Sequence, residues 1–254
     1  MSSSTWTPAA LSSSARSLRG VCWRVVEAQH QVSTHKLVDS LSEQTLLEEL
    51  IEATKPTVPP ECRHLDYLLF TPFRYAAYPK GSRFRRAGMT EGVFYASQGP
   101  ETAIAEIAFY RLLFFAESPD TPWPANPAEY TAFAAAYRTG KAIDLTKPPF
   151  AAHKKQWSHP NDYSQCQDFA DKARTAAVEI ICYWSVRDPR GGVNLVLLTC
   201  RVFTKPEPVE RQTWRIHLGA SGARAIRESP RLSLEFDRRA FATDPRIAAL
   251  NWDR

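Results

Sequence analysis

The chain has 254 residues, of which 44% are apolar and 23% charged, and its formal net charge is +5 at pH 7. This composition is typical of a soluble globular protein, and no apolar run reaches the ~18–20 residues that a membrane-spanning helix needs. The five cysteines lie far apart, without a CxxC pair or histidines at ligand spacing. We therefore expect buried free thiols in a reducing cytoplasm rather than a structural zinc site.

The N-terminal part of the chain predicts a tail, one strand and one helix. Residues 1–19 are rich in serine and lack acidic residues, which predicts a disordered tail ahead of a single domain at 20–254. Residues 20–28 are rich in β-branched and aromatic side chains, as in a strand. The spacing of Ser40 and Glu43 is that of a capping box and predicts the start of a helix.

A stretch rich in cations follows. Residues 64–75 predict extended chain that is broken at Pro72, and residues 78–88 predict a loop with two glycines. Such a loop can bind phosphate or pyrophosphate, since the planar guanidinium group matches those oxygens, but a solvated surface loop has the same composition. The cations of this region are Arg74, Lys80, Arg83, Arg85 and Arg86.

An acidic residue interrupts the apolar helix that comes next. Residues 91–97 predict a strand that includes Tyr95, and a helix begins at Pro100. This helix is apolar on almost every face, which is typical of a buried helix, yet its second turn carries Glu106. A buried carboxylate is costly unless it is paired, so Glu106 is either part of a structural ion pair or a functional group.

The second half of the chain completes an α+β pattern. Residues 129–138 fit either a strand or a helix, whereas residues 164–176 predict a helix. Two apolar strands, 177–186 and 193–203, are joined by a loop that suits a hairpin, and Ser185 lies near the end of the first. The predicted fold is α+β, a single domain with a mostly antiparallel central sheet and flanking helices.

Four short motifs carry a resemblance to a known family. In chain order GSRF, GVFYAS, ETAIAE and YWSVRD resemble the RES domain family, over a region from about Trp23 to beyond Phe203. The family is named for an arginine, a glutamate and a serine. In this chain they fall on Arg83, Glu106 and Ser185.

The same resemblance implies further binding residues. The strand tyrosine of the family falls on Tyr95 and its early arginine on Arg24. This chain resembles the longer members, and Arg74 in its additional segment is a second candidate for the arginine role. The resemblance thus implies Glu106, Arg83 and Ser185 as catalytic residues and Arg24, Arg74, Arg83, Tyr95 and Ser185 as binding residues.

The resemblance also implies a fold related to ADP-ribosyltransferases and an activity on NAD⁺ that needs no metal. Members of the family cleave the nicotinamide–ribose bond by phosphorolysis or hydrolysis, or transfer ADP-ribose to a protein, and these three acceptors remain alternatives here. Members are toxins of type II toxin–antitoxin systems, which implies a cytoplasmic protein with a helix-turn-helix antitoxin as partner. A homodimer within such a complex is compatible with the resemblance, whereas contact with a membrane or with nucleic acid is not expected.

A mechanism follows from these residue types. Cleavage of the nicotinamide–ribose bond passes through an oxocarbenium-like centre and releases a neutral leaving group, so fixed negative charge near the ribose is the main requirement. We expect Glu106 to supply that charge, Arg83 and Arg24 to hold the pyrophosphate, and Ser185 to position the substrate. Tyr95 would pack against nicotinamide or orient the ribose. A basic RNA-binding protein or ribonuclease is the alternative from another class, because the net charge is positive.

Overall fold

Eight strands are present in the part of the chain that the structure describes. The structure is a computed structural model and describes residues 6–28, 37–74, 79–89 and 91–253. The strands are Arg16–Glu27 (β1), Phe94–Ser97 (β2), Ala128–Asp144 (β3), Ile180–Trp184 (β4), Val193–Leu197 (β5), Glu210–Gly219 (β6), Gly222–Arg227 (β7) and Leu232–Asp237 (β8).

The sheet that these strands form closes on itself. The strand order is β1-β2-β5-β4-β3-β6-β7-β8, and β1 also pairs with β3, so that β1, β2, β5, β4 and β3 complete a ring. The prediction of a mostly antiparallel sheet is confirmed, since among the described strands only β3 and β4 pair in parallel. The expectation of a simple central sheet is corrected to a closed barrel.

The long strand β3 makes this closure possible. Its residues 130–142 pair with β1, its first residues pair with β6 and its last three pair with β4. Residues 129–138, which the sequence left between strand and helix, are therefore strand. Ala132, Ala134 and Ala135 are buried here, and their small side chains let other elements pack closely on β3.

Seven α-helices and three short 3₁₀ helices accompany the described strands. The α-helices are Pro8–Ser14 (α1), Leu41–Thr54 (α2), Tyr67–Arg74 (α3), Pro100–Ala116 (α4), Lys154–Trp157 (α5), Ser164–Thr175 (α6) and Pro245–Ala248 (α7), and the 3₁₀ helices are Pro60–Cys62, Phe150–His153 and Cys200–Val202. In the described part of the chain, no helix has the length and apolar character needed to cross a bilayer.

Two predictions about local structure are wrong. Residues 64–75 were expected to be extended, but α3 forms because Asp66 accepts a hydrogen bond from the Leu68 amide and because Leu68 and Leu69 are buried. The expectation of a disordered tail over 1–19 fails for its described part. There α1 and the start of β1 are ordered, and Leu11 is fully buried.

Helix α4 is apolar on almost every face, and most of its apolar side chains are buried, although Tyr110 and Phe114 stay exposed. It packs against β1, β3, β6–β8 and α7, in one core that includes Phe109, Trp214 and Phe236. The start of α4 is set by Gly99 and Pro100, as predicted. The second turn of α4 lies beside the barrel strands, where Glu106 contacts Asn194 of β5.

The cysteines differ in part from the prediction of free thiols. Cys62 and Cys200 form a disulfide that links two of the 3₁₀ helices, although 138 residues separate them in the chain. Cys22, Cys166 and Cys182 are buried free thiols, as predicted. Burial raises the pKa of Cys22 and that of Cys182 to about 12, so both are protonated at neutral pH.

Candidate active site

A pocket of about 290 Å³ lies where β1, β2 and α4 meet the β4–β5 hairpin. Most of the residues that the sequence singled out come together here: Arg24, Arg83, Tyr95 and Glu106 all line it. Ser185 lies directly behind Glu106 and contacts its side chain. The other lining residues are Trp23, Val25, Ser82, Ala96, Ser97, Ala103, Ile107, Tyr110, Tyr183, Val186, Arg187 and Asn194.

The carboxylate of Glu106 is fixed by two hydrogen bonds from the barrel. The Ser185 hydroxyl donates to Oε1 at 2.7 Å, and Nδ2 of Asn194 donates to the same oxygen at 2.5 Å. Both bonds fall on Oε1, so Oε2 is the oxygen available to a ligand in the pocket. Two fixed donors on one oxygen stabilise a negative charge at this position.

The hydroxyl of Ser185 is fully committed to neighbouring groups. Its oxygen accepts hydrogen bonds from the backbone N–H groups of Arg187 (3.2 Å) and Asp188 (2.9 Å), while its proton goes to Glu106. A hydroxyl has one proton and two lone pairs, and all three are used. Ser185 is thus arranged to orient a carboxylate and to close the hairpin loop rather than to attack a substrate.

Arg24 and Arg83 are two of the three described arginines that line the pocket. Arg83 is 8% exposed, donates from Nη1 to the Trp157 carbonyl oxygen at 3.0 Å, and stacks on the Tyr163 ring. Arg24 donates from Nη1 to the Tyr95 carbonyl oxygen at 2.9 Å. These contacts hold each guanidinium group in one orientation, which favours recognition of a phosphate.

Tyr95 anchors the loop that carries Arg83. Its hydroxyl is hydrogen-bonded to the Ser82 hydroxyl at 2.8 Å and accepts from the Phe84 backbone N–H at 2.9 Å. Burial raises the pKa of Tyr95, which keeps the phenol neutral. The residues on either side of Arg83 are therefore tied to the strand next to the pocket.

The structure does not bring Arg74 to the pocket. Its guanidinium group forms a salt bridge of 2.7 Å with Glu52 and also donates to the Pro56 carbonyl oxygen, both in the segment around α2. Within the basic loop, Arg86 pairs with Asp168 and with Asp171. These two arginines have structural partners, and among the cations of that region it is Arg83 that faces the pocket.

Sequence reasoning assigned no role to several polar residues of the site, among them Asn194 and Arg187. Asn194 interrupts an otherwise apolar strand, VNLVLL, and this break in the pattern could have identified it. Arg187 is 4% exposed, stacks on Phe109 and pairs with Asp244 at 3.2 Å. Arg187 belongs to the YWSVRD motif, but the motif alone gives it no role, because its partner Asp244 lies far along the chain.

Gly192 allows α4 to lie close to the β4–β5 hairpin, from which Ser185 and Asn194 donate hydrogen bonds to Glu106. A Cβ atom at this position would lie 2.0 Å from Thr102 Oγ1 and 2.6 Å from Asp188 Oδ2. We expect Gly192→Ala to lower the free energy of unfolding by about 1–3 kcal/mol through overpacking. Gly140→Ala is the matched control, since a Cβ there meets nothing within 4 Å. Urea unfolding of both variants checks this, and equal stabilities would contradict it.

No group of three or more histidine, cysteine, aspartate or glutamate side chains that could hold a metal ion occurs among the described residues. Taken together, fold and pocket define an α+β barrel domain whose site combines a fixed carboxylate with three arginines, Arg24, Arg83 and Arg187.

The sequence places this domain in a family. A sequence model of the RES domain matches residues 58–219, more than half of the chain, and the chain belongs to the RES domain family. The family predicted from the four motifs is thus confirmed. The matched region includes Arg83, Tyr95, Glu106 and Ser185, whereas Arg24 precedes it.

A solved structure is also similar to the chain. It is a chain of the M. tuberculosis MbcT–MbcA toxin–antitoxin complex, with a TM-score of 0.45 and 15% sequence identity, and the match covers 79% of this chain and 90% of that one. Among curated proteins, no sequence matches.

Proposed function

We propose that the protein is an NAD⁺-consuming enzyme that cleaves the bond between nicotinamide and ribose. The observation that carries this proposal is the carboxylate of Glu106, held by two donors on one oxygen and presented to a pocket that Arg24 and Arg83 also line. Membership of the RES domain family supports the same substrate.

The geometry fits a dissociative cleavage. As the nicotinamide leaves, positive charge develops at the ribose, and Oε2 of Glu106 would stabilise that charge or accept a bond from a ribose hydroxyl. Nicotinamide departs as a neutral group, so the step requires no general acid. Arg83 and Arg24 would hold the pyrophosphate, and Tyr95 would maintain the position of the Arg83 loop.

We propose further that this enzyme acts in the cytoplasm as the toxin of a type II toxin–antitoxin pair, with a helix-turn-helix protein as its antitoxin. An ADP-ribosyltransferase-like ancestry of the fold is part of the same proposal. The acceptor of the ribosyl group is phosphate, water or a protein side chain.

The test is release of nicotinamide from NAD⁺ by the purified protein, with and without inorganic phosphate. Release that requires phosphate, with ADP-ribose 1″-phosphate as the second product, identifies a phosphorylase. Release without phosphate identifies hydrolysis, or transfer if a labelled protein appears. A folded, antitoxin-free protein that releases no nicotinamide but binds RNA in a salt-dependent manner would overturn the proposal.

A further inference from the structure

We propose that Asn194, held in place by Ser97, is a positioning residue that determines which oxygen of Glu106 faces the substrate. The inference rests on the proposed function, because it assigns a role in the same reaction. It assigns a role to Asn194 of β5 beyond that of one donor to Glu106, and a first role to Ser97 of β2, the last residue of the GVFYAS motif.

Ser97 and Asn194 are paired on two adjacent strands of the barrel. Ser97 is the last residue of β2, and its direct partner in the antiparallel ladder is Asn194 of β5. Directly opposed residues project from the same face of a sheet, so their side chains meet. The Ser97 hydroxyl donates to Oδ1 of Asn194 at 2.7 Å, and both residues are buried.

Ser97, Asn194 and Glu106 form a relay of two hydrogen bonds, and the chemistry of the groups fixes its direction. An ionised carboxylate can only accept hydrogen bonds, so the Asn194 group that contacts Glu106 has to be its NH₂. The amide oxygen then points the other way, where the Ser97 hydroxyl donates to it. The hydroxyl of Ser97 thereby selects the amide orientation that places a donor on Oε1 of Glu106.

Position along the chain makes this relay well suited to the task. Ser97 ends the strand that leads directly into α4, the helix that bears Glu106, so one short connection joins the first and last members of the relay. Asn194 of β5 pairs with Tyr183 of β4. Strand β4 ends one residue later, at Trp184, and Ser185 follows it directly. Oε1 of Glu106 therefore accepts one hydrogen bond from Ser185, just after β4, and one from Asn194, near the start of β5.

A small displacement of Glu106 would have a large effect on turnover. Misplacement of a catalytic group by about 1 Å can cost about 10²-fold in rate. We therefore expect Asn194→Ala to lower kcat about 10- to 100-fold, while the Kd for NAD⁺ stays within about threefold of wild type. Ser97→Ala should lower kcat less, because the amide keeps its place and loses only its preferred orientation.

The experiment measures nicotinamide release and, by calorimetry, NAD⁺ binding for wild type, Asn194→Ala, Ser97→Ala, Ser97→Thr and the double alanine variant. Ser97→Thr keeps the hydroxyl and should retain near wild-type kcat. Because Ser97 acts through Asn194, its replacement should cause no further loss in the Asn194→Ala background. Asn126→Ala, at an exposed asparagine outside the pocket, is the matched control.

Each outcome decides a separate question. Wild type that turns over NAD⁺ while Asn194→Ala retains its kcat would overturn the positioning role alone, and so would additive losses in the double variant. If Asn194→Ala does not fold, the comparison of Ser97→Ala with Ser97→Thr still tests the relay, since equal kcat values would contradict it. Wild type that leaves NAD⁺ intact would overturn the proposed function and this role together.

Discussion

Replacement of Glu106 by glutamine is expected to lower nicotinamide release by about 10²–10³-fold, the usual effect of removing one electrostatic contact to a transition state. Glutamine has nearly the shape of glutamate, and its amide oxygen can still accept from Ser185 and Asn194. The variant therefore retains the pocket but loses the negative charge. Nicotinamide release and NAD⁺ binding, measured on the same preparation, separate the two properties.

A matched control lies one turn earlier on the same helix. Glu101→Gln makes the same chemical change in the first turn of α4, at a side chain that does not line the pocket. We expect this variant to release nicotinamide as the wild type does. If Glu106→Gln kept wild-type turnover, or if it lost NAD⁺ binding and turnover in equal measure, the electrostatic role of Glu106 would be wrong.

Replacement of Asp244 by asparagine is expected to lower the free energy of unfolding more than Gly192→Ala or Asp253→Asn does. Asp244 is fully buried and pairs with Arg187, which is 4% exposed. The change leaves Arg187 as a buried charge without its carboxylate, a situation that costs about 3–5 kcal/mol in free energy of unfolding. Urea denaturation at neutral pH measures the difference.

The effect of Asp244→Asn should depend on pH. Burial alone would raise the pKa of Asp244, but hydrogen bonds from Arg246 and the charge of Arg187 lower it below its usual value. Because the folded-state pKa is the lower one, this stabilisation is present above the unfolded pKa of about 3.9 and is lost as the pH falls through the folded-state pKa. The difference in free energy of unfolding between wild type and Asp244→Asn should therefore become smaller as the pH falls through the folded-state pKa.

An exposed ion pair provides the control for this second prediction. Asp253 pairs with Arg238 at 3.5 Å, and its side chain is 85% exposed. Exposed pairs contribute little, so Asp253→Asn should change the free energy of unfolding by less than about 1 kcal/mol. Similar losses in the two variants would contradict the assignment of a buried, stabilising pair to Asp244.

Local patterns predicted most elements of the fold but not its closure. The capping residues of α2 and the Gly-Pro start of α4 could be read directly because they act within one turn. The barrel depends on pairing between β1 and β3, in which Cys22 lies opposite Ala135, and no local period encodes such a contact. Helix α3 includes Pro72, a residue that usually interrupts a helix, and the burial of Leu68 and Leu69 that stabilises it depends on the tertiary fold.

The candidate site was predictable to the extent that its residues broke a pattern. Glu106 was identified because it is an acid in an apolar helix, and Asn194 is detectable by the same argument in an apolar strand. Arg74 and Arg83 could not be separated from sequence, because the difference lies in their partners. Glu52 on the surface pairs with Arg74, whereas Arg83 is buried under Tyr163.

The order of the site residues along the chain has a consequence for biosynthesis. Arg24 precedes the family-matched region, Asn194 is near its end, and Asp244, which holds Arg187, lies close to the C-terminus. At ribosomal rates of about 5–20 residues per second, these 254 residues take roughly 10–50 s to make. A nascent chain that has passed Glu106 but not Asn194 still lacks a donor for the carboxylate, so prematurely terminated products carry an incomplete pocket.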